Sequence, residues 1–300
     1  MIEDSGQSVA EPVGDARDGP RLFIVRNAAL ESLLFDRNLM GVDFRRTCLR
    51  CSRHLIAHIA DECPSGDTAE LMILSKGLVY QLGEAMAAET GRTLPTNMIA
   101  TARTAVSHDT ARIEVPYCCL DAPAGVLIIG DTVASGATIV AALRRYLDVH
   151  PLRRVYVLSF AGTLLGATRI AEFCARHGVE ATFLYGLAAF GLGANGFDLS
   201  FLHPDTITHS TYVERAREQF AGKPVSAVGW DFGSQCMAPR KYRRLTWVEA
   251  ASWDLRDADC FQVAEEPGDW AELAHERAAY EHTLQHLGPE DRRTVDGKCS

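Results

Sequence analysis

The longest apolar run of the chain, Gly125 to Leu143, carries Asp131 near its middle, and a carboxylate at that depth is hard to reconcile with a membrane span. The run has to be divided. Val126–Ile129 has the length and apolar density of a buried strand, Thr138–Leu147 has helical periodicity, and Asp131 and a loop of small residues lie between them. The same texture recurs from Glu70 onward. Short apolar runs at Leu71–Leu74, Met98–Ala100, Val155–Phe160 and Thr182–Tyr185 read as strands, with helices Leu78–Ala88 and Leu165–His177 among them. The expected fold class is α/β, with a mainly parallel sheet flanked by helices.

Composition bounds the rest. With 47% hydrophobic and 23% charged residues, the 300-residue chain can bury a core. A net charge of −9 disfavours a general nucleic-acid binder, so any polyanion site must be local. Residues 1–20 are acidic, lack an apolar stretch of signal-peptide type and read as a disordered leader. Without an export signal the nine cysteines are expected to be reduced thiols of a cytoplasmic protein. Residues 21–66 carry apolar positions at helical spacing, broken near Met40-Gly41, and form an N-terminal helical segment for packing or a dimer interface. Residues 67–239 hold the core and a hood over its site, with a helix at Tyr212–Phe220 and a strand at Val225–Val228. Residues 240–300 form a C-terminal extension with a helix near Asp269–His286.

Cys48, Cys51, His54, His58 and Cys63 could pass for a zinc cluster, but all five fall on one predicted helix beside Phe44 and Leu55. Packing is the better reading. Cys118-Cys119 reads as strand filler, and Arg240–Arg244 as solvated surface or as an aid in holding phosphate.

The chemistry-bearing stretch is Val126-Leu-Ile-Ile-Gly-Asp-Thr-Val-Ala-Ser-Gly-Ala-Thr138. Ala134, Gly136 and Ala137 let an anion approach the backbone, the first-turn N–H groups of the following helix point at it, and Ser135 and Thr138 add hydroxyl donors. Asp131 cannot hold phosphate; its natural partner is a polyol. Acid and cradle together describe a ribose 5-phosphate site at the carboxyl end of a strand.

This stretch resembles the phosphoribosyl pyrophosphate (PRPP) signature of type I phosphoribosyltransferases. Within that class the chain is most similar to uracil phosphoribosyltransferases. Phe44-Arg45 resembles their N-terminal Phe-Arg helix, Ile73-Leu-Ser-Lys-Gly-Leu78 their pyrophosphate loop, and Arg103 the arginine of their mobile loop, within a stretch, Thr101–Arg112, compatible with a lid or an ordinary hairpin. The resemblance covers about residues 21–200. It implies the type I phosphoribosyltransferase fold, with N-terminal helices and a C-terminal extension.

Three departures stand out. Gly130 replaces a first acid that many type I enzymes carry, although uracil-type enzymes also keep only one of the two. Ser75-Lys76 replaces Arg-Ala. At the base-binding end the family's continuous motif is missing: Gly196-Phe197-Asp198 is weakly similar to its beginning and Gly229–Gln235 to its end, about thirty residues later. The base-binding region is divergent, and uracil is a poor candidate.

The resemblance implies a transferase joining a nitrogen heterocycle, with a modified purine-like or deazapurine base as the candidate, to ribose 5-phosphate with release of pyrophosphate. Residues 134–138 (Ala134, Ser135, Gly136, Ala137, Thr138) would grip the 5-phosphate, Asp131 the ribose hydroxyls, and Ser75, Lys76 and Gly77 the leaving pyrophosphate with Mg²⁺ held mainly through PRPP. Arg103 would stabilise the leaving group, Asp231 would orient an N–H of the base, and Phe197 and Trp230 would stack on it. Expected partners are PRPP, the base and a second copy of the chain, with neither nucleic acid nor membrane. Two alternatives stay open: uracil salvage, and a non-catalytic PRPP or nucleotide sensor.

Overall fold

The computed structural model describes residues 8–14, 19–36, 39, 41–74, 77–107, 110–193, 199–219, 222 and 227, with the backbone alone described over 103–107 and 110–112. The strand and helix expected at 225–228 and 269–286 lie outside these residues, apart from Ala227.

Eight strands form the main sheet: β1 (Val9–Pro12), β2 (Arg21–Arg26), β3 (Thr68–Leu74), β4 (Thr96–Ser107), β5 (Thr110–Cys119), β6 (Val126–Gly130), β7 (Arg154–Ser159) and β9 (Glu180–Gly186). Their spatial order is β1-β2-β9-β7-β6-β3-β4-β5. The six inner strands are parallel, and β1 and β5 pair antiparallel at the two edges. A second, small sheet joins β8 (Gly162–Thr163), β10 (Ala188–Phe190) and β11 (Ile207–Thr208).

Strand alternation divides the interior into two layers. Val126 and Ile128 of β6, Tyr156 and Leu158 of β7 and Leu184 of β9 face one cluster, built with α1 (Ala28–Phe35), α2 (Gly41–Ala57), α3 (Gly77–Tyr80), α4 (Leu82–Thr90) and α7 (Ser210–Gln219). Their neighbours Leu127, Ile129, Val155, Val157 and Phe183 face the other, built with α5 (Ala137–Leu147) and α6 (Leu164–Arg176). The result is a mixed α/β fold with a mostly parallel central sheet flanked by helices. No helix among the described residues is long and apolar enough to cross a membrane.

Three local expectations need correction. Residues 21–26 are a strand instead of helix: Leu22, Ile24 and Val25 are buried between charged ends, and Leu22 and Val25 enter opposite layers. The helical spacing begins only at Ala28, where Asn27 caps α1 by accepting the Leu30 N–H at 2.9 Å. Within the expected leader, Val9–Pro12 forms β1, paired with β2 and tied by an ion pair from Glu11 to Arg26. A four-residue edge strand with one proline carries too little apolar pattern to be told from a leader. Finally, α2 stops at Ala57, so His58 and Cys63 lie beyond it, Cys63 after a 3₁₀ turn at Ala60–Glu62. Phe44, Cys48, Cys51, Leu55 and Cys63 are buried in the core, and burial raises the Cys63 thiol to about 11. His58 shares a hydrogen bond with Ser8 Oγ at 2.9 Å.

Glu70 is the anomaly of the interior. It sits on β3, 2% exposed, on the face away from Ala69 and Leu71, and accepts a hydrogen bond from Thr96 Oγ1 at 3.2 Å. Burial raises its carboxyl from 4.5 to about 7, outweighing the Thr96 bond, and Glu84 adds to the rise. The folded state therefore binds this proton more tightly than the unfolded chain. Its contribution to stability is full below 4.5 and is lost as pH climbs through about 7. The change is at most about 3 kcal/mol. Denaturant melts of the wild type should weaken from pH 4.5 towards 7.5, and Glu70→Gln should flatten this slope. An identical pH dependence in the variant would contradict the assignment.

Candidate active site

Every strand of the parallel array ends at the same sheet edge, and the central strand β6 ends at Gly130. Asp131 follows at that edge, 5% exposed; its N–H donates to the Leu158 carbonyl at 3.2 Å, and its Oδ1 accepts the Thr132 N–H at 2.8 Å. The Asp131 backbone is thus held at the carboxyl ends of two adjacent strands, and its carboxylate by the N–H of the next residue. Val133 continues the pairing by one bridge to Gly162 of β8, donating to the Ala161 carbonyl and accepting from the Thr163 N–H. The chain then turns through Gly136, at φ +74°, into α5.

That turn requires glycine. A Cβ on Gly136 would lie 2.8 Å from the Gly166 carbonyl oxygen, in addition to the positive φ. The loop rests on α6, and Gly166 is as restricted: its Cβ would meet the Ala134 oxygen at 2.5 Å. No side chain caps α5, so the N–H groups of its first turn have no intrahelical acceptor and face the end of the loop. The loop 134–138 and Asp131 are therefore brought together, with Ser135 and Thr138 half-buried beside them.

Gly77 joins them, since a Cβ there would lie 3.5 Å from the Gly130 carbonyl; Ser75 and Lys76 lie outside the described residues. Arg103 lies on the hairpin of β4 and β5, where its backbone pairs with Ile113. β4 pairs with β3 only as far as Ala100 opposite Leu74, so Arg103 stands past the carboxyl edge, at the same end of the sheet as Asp131. Residues 101–107 and 110–112 accordingly pair as antiparallel strands. Phe197, Trp230 and Asp231 lie outside the described residues.

Several residues at this edge escape sequence reading. Tyr80, fully buried, stacks on Phe160 with ring centres 4.0 Å apart, and its hydroxyl accepts the Phe160 N–H at 3.1 Å. Its ring occupies the space above Gly130, where a Cβ would fall 2.5 Å from Tyr80 Cγ. Burial, reinforced by the Asp131 charge, keeps the phenol protonated. Gly130 is thus the partner of an aromatic ring, and that pairing leaves Asp131 as the acid of this strand end. Tyr185 ends against Gly162, and its buried hydroxyl has no hydrogen-bond partner among the described residues. Thr163, at the end of β8 and capping α6, and Arg169 of α6 reach the loop: Thr163 Oγ1 donates to the Ala134 carbonyl, and Arg169 Nη1 donates to the Ser135 carbonyl at 2.9 Å. The spacing Thr-x-x-Gly-x-x-Arg over 163–169 is the signal that could have revealed this contact. Among the described residues no group of three or more His, Cys, Asp or Glu side chains is placed to hold a metal ion.

No protein-family model matches the chain, and no curated protein matches it in sequence. Among solved structures it is similar to the AQ2163 protein from Aquifex aeolicus, at 15% identity and TM-score 0.48, over 59% of this chain and 91% of the other. It is also similar to the adenine phosphoribosyltransferase of Trypanosoma brucei in complex with AMP, pyrophosphate and ribose-5-phosphate. There the identity is 17% and the TM-score 0.38, over 59% and 87% of the two chains. The adenine phosphoribosyltransferase of Leishmania donovani gives 14% and 0.38, over 59% and 86%.

The loop geometry gives a direct test. Gly136→Val should abolish binding of ribose 5-phosphate measured by calorimetry, because neither the positive φ nor the 2.8 Å approach tolerates a branched side chain. Retained binding would count against the cradle.

Proposed function

We propose that the protein is a PRPP-dependent phosphoribosyltransferase, transferring ribose 5-phosphate to a ring nitrogen of a heterocyclic base. The observation that carries the reading is Asp131, a buried carboxylate fixed at the end of the central strand and followed directly by a glycine-pivoted loop into an uncapped helix. An acid alone would suit many chemistries, and an anion loop alone many phosphates. Together they fit a phosphorylated sugar whose hydroxyls meet the acid and whose phosphate meets the loop.

In the transfer, the base nitrogen forms a bond to C1 of the ribose as the C1–O bond to pyrophosphate breaks; the electron pair leaves with pyrophosphate, and the proton of the ring N–H, which Asp231 would accept or orient, is released. Positive charge builds on the sugar ring in between. Asp131 would hydrogen-bond the ribose hydroxyls and offset that charge in a site dry enough for the interaction to be strong. The backbone N–H groups and hydroxyls of 134–138 would hold the 5-phosphate, and Ser75, Lys76 and Gly77 would receive the leaving group. Arg103, past the same sheet edge, would arrive at the pyrophosphate from the hairpin. Mg²⁺ would be held mainly through the diphosphate of PRPP. Bound there, Mg²⁺ would neutralise charge on the leaving group. Asp231, with Phe197 and Trp230, would form the base pocket, and the long aromatic insertion favours a purine-like or deazapurine base over uracil.

A pyrophosphate-release screen with PRPP, Mg²⁺ and a panel of pyrimidines, purines and deazapurines should find turnover with a bicyclic base and little with uracil. Efficient turnover of uracil at micromolar concentration would return the protein to pyrimidine salvage. With the accepted base, Asp131→Asn should retain the fold and lower kcat/KM by on the order of 10²-fold. Near-normal turnover in that variant would remove Asp131 from the mechanism.

A further inference from the structure

We propose that Thr163, the N-cap of α6, and Arg169, in the second turn of that helix, are the positioning residues that aim the N–H donors of the phosphate loop. The inference rests on the reading of 134–138 as the 5-phosphate site and names what gives that site its polarity. Thr163 caps the helix, and Gly166 and Arg169 follow at intervals of three on one side of its first turns; each of the three meets the loop. Thr163 Oγ1 donates to the Ala134 carbonyl and accepts the Gly166 N–H at 2.9 Å, so the loop contact is built into the cap of the helix. Gly166 allows the Ala134 carbonyl to descend onto the helix. Arg169 Nη1 donates to the next carbonyl, that of Ser135, at 2.9 Å.

A trans peptide holds its C=O and the following N–H in opposite directions. With the Ala134 carbonyl drawn to α6, the Ser135 N–H points away from it. With the Ser135 carbonyl drawn to Arg169, the Gly136 N–H points away from the guanidinium. Both donors then turn to the side opposite their carbonyls, to act with the first N–H groups of α5 in a concave anion site. Flipping either peptide plane would present an oxygen where the phosphate binds, and the two α6 contacts oppose that flip. Arg169 is exposed and adds positive charge at the rim.

The test compares Arg169→Ala, Arg169→Lys, Thr163→Val and Thr163→Ser by calorimetry with ribose 5-phosphate and, separately, with inorganic pyrophosphate in the presence of Mg²⁺. Arg169→Ala and Thr163→Val should each weaken ribose 5-phosphate by about tenfold, the scale of a lost hydrogen bond that orients a charged contact. Arg169→Lys and Thr163→Ser keep a donor at the same carbonyl and should stay within about threefold of wild type. Pyrophosphate affinity should be unchanged in all four, since its site lies at 75–77. Equal ribose 5-phosphate affinity across the series would overturn the inference, as would parallel loss of both ligands, which marks general loosening of the fold. A wild type that binds neither ligand overturns it too. A wild type that binds ribose 5-phosphate but releases no pyrophosphate from PRPP with any base removes the transferase reading and leaves the clamp standing.

Discussion

All five residues of β6 are buried, with apolar contacts on both faces, and the architecture follows from that constraint. A strand buried on both sides must have hydrogen-bonded neighbours on both edges and helices above and below. β3 and β7 supply the neighbours; α3 and α4 on one side and α5 and α6 on the other contribute to the two layers. β6 itself carries no polar side chain before it ends. Asp131 is therefore the first residue that can be charged, and it comes at the carboxyl edge, where parallel strands open their crevice.

The small sheet at that edge extends the same logic. β8 and β10 add on at the point where β6 gives way to loop, and the bridge from Val133 to Gly162 joins the two sheets. Behind them α7 is fastened to α1. Phe35 stacks on Phe201 at 4.6 Å, Arg215 lies over the Phe35 ring at 4.2 Å, and the Tyr212 hydroxyl donates to Glu31 at 2.9 Å. Residues more than 160 positions apart are thus one structural unit, which holds α7 and Phe201 to α1.

Much of this was legible in the sequence where a pattern is repeated and local. The inner strands from β3 to β9 appear as short apolar runs, and the helices between them as periodic stretches, because burial on two faces or one dictates each pattern. The strand-to-loop transition at Asp131 was legible because small residues and an acid have few other uses in that order. What escaped depends on distant partners. β1 is a strand only because β2 lies beside it, and residues 21–26 read as helix because the next apolar positions are helical. The helix expected at 78–88 is two: Gln81, at φ +49°, separates α3 from α4, and nothing in a glutamine announces a left-handed residue. The spacing of Thr163, Gly166 and Arg169 can be read, but the loop that lies on them cannot be read from it.

The contact between Gly130 and Tyr80 has a historical meaning as well as a physical one. The ring fills the volume that any side chain at position 130 would need, so the two positions cannot drift independently. An acid gained at 130 while the tyrosine is in place meets Tyr80 Cβ and Cγ, the rigid root of the side chain, and not a tip that can swing aside. Loss of the ring first leaves the Phe160 amide without its acceptor and opens a cavity beneath the strand end. Either order passes through a damaged intermediate. A lineage that has taken on this pair is held to a single acid at this strand end, and further change in the site is channelled into the loops around it.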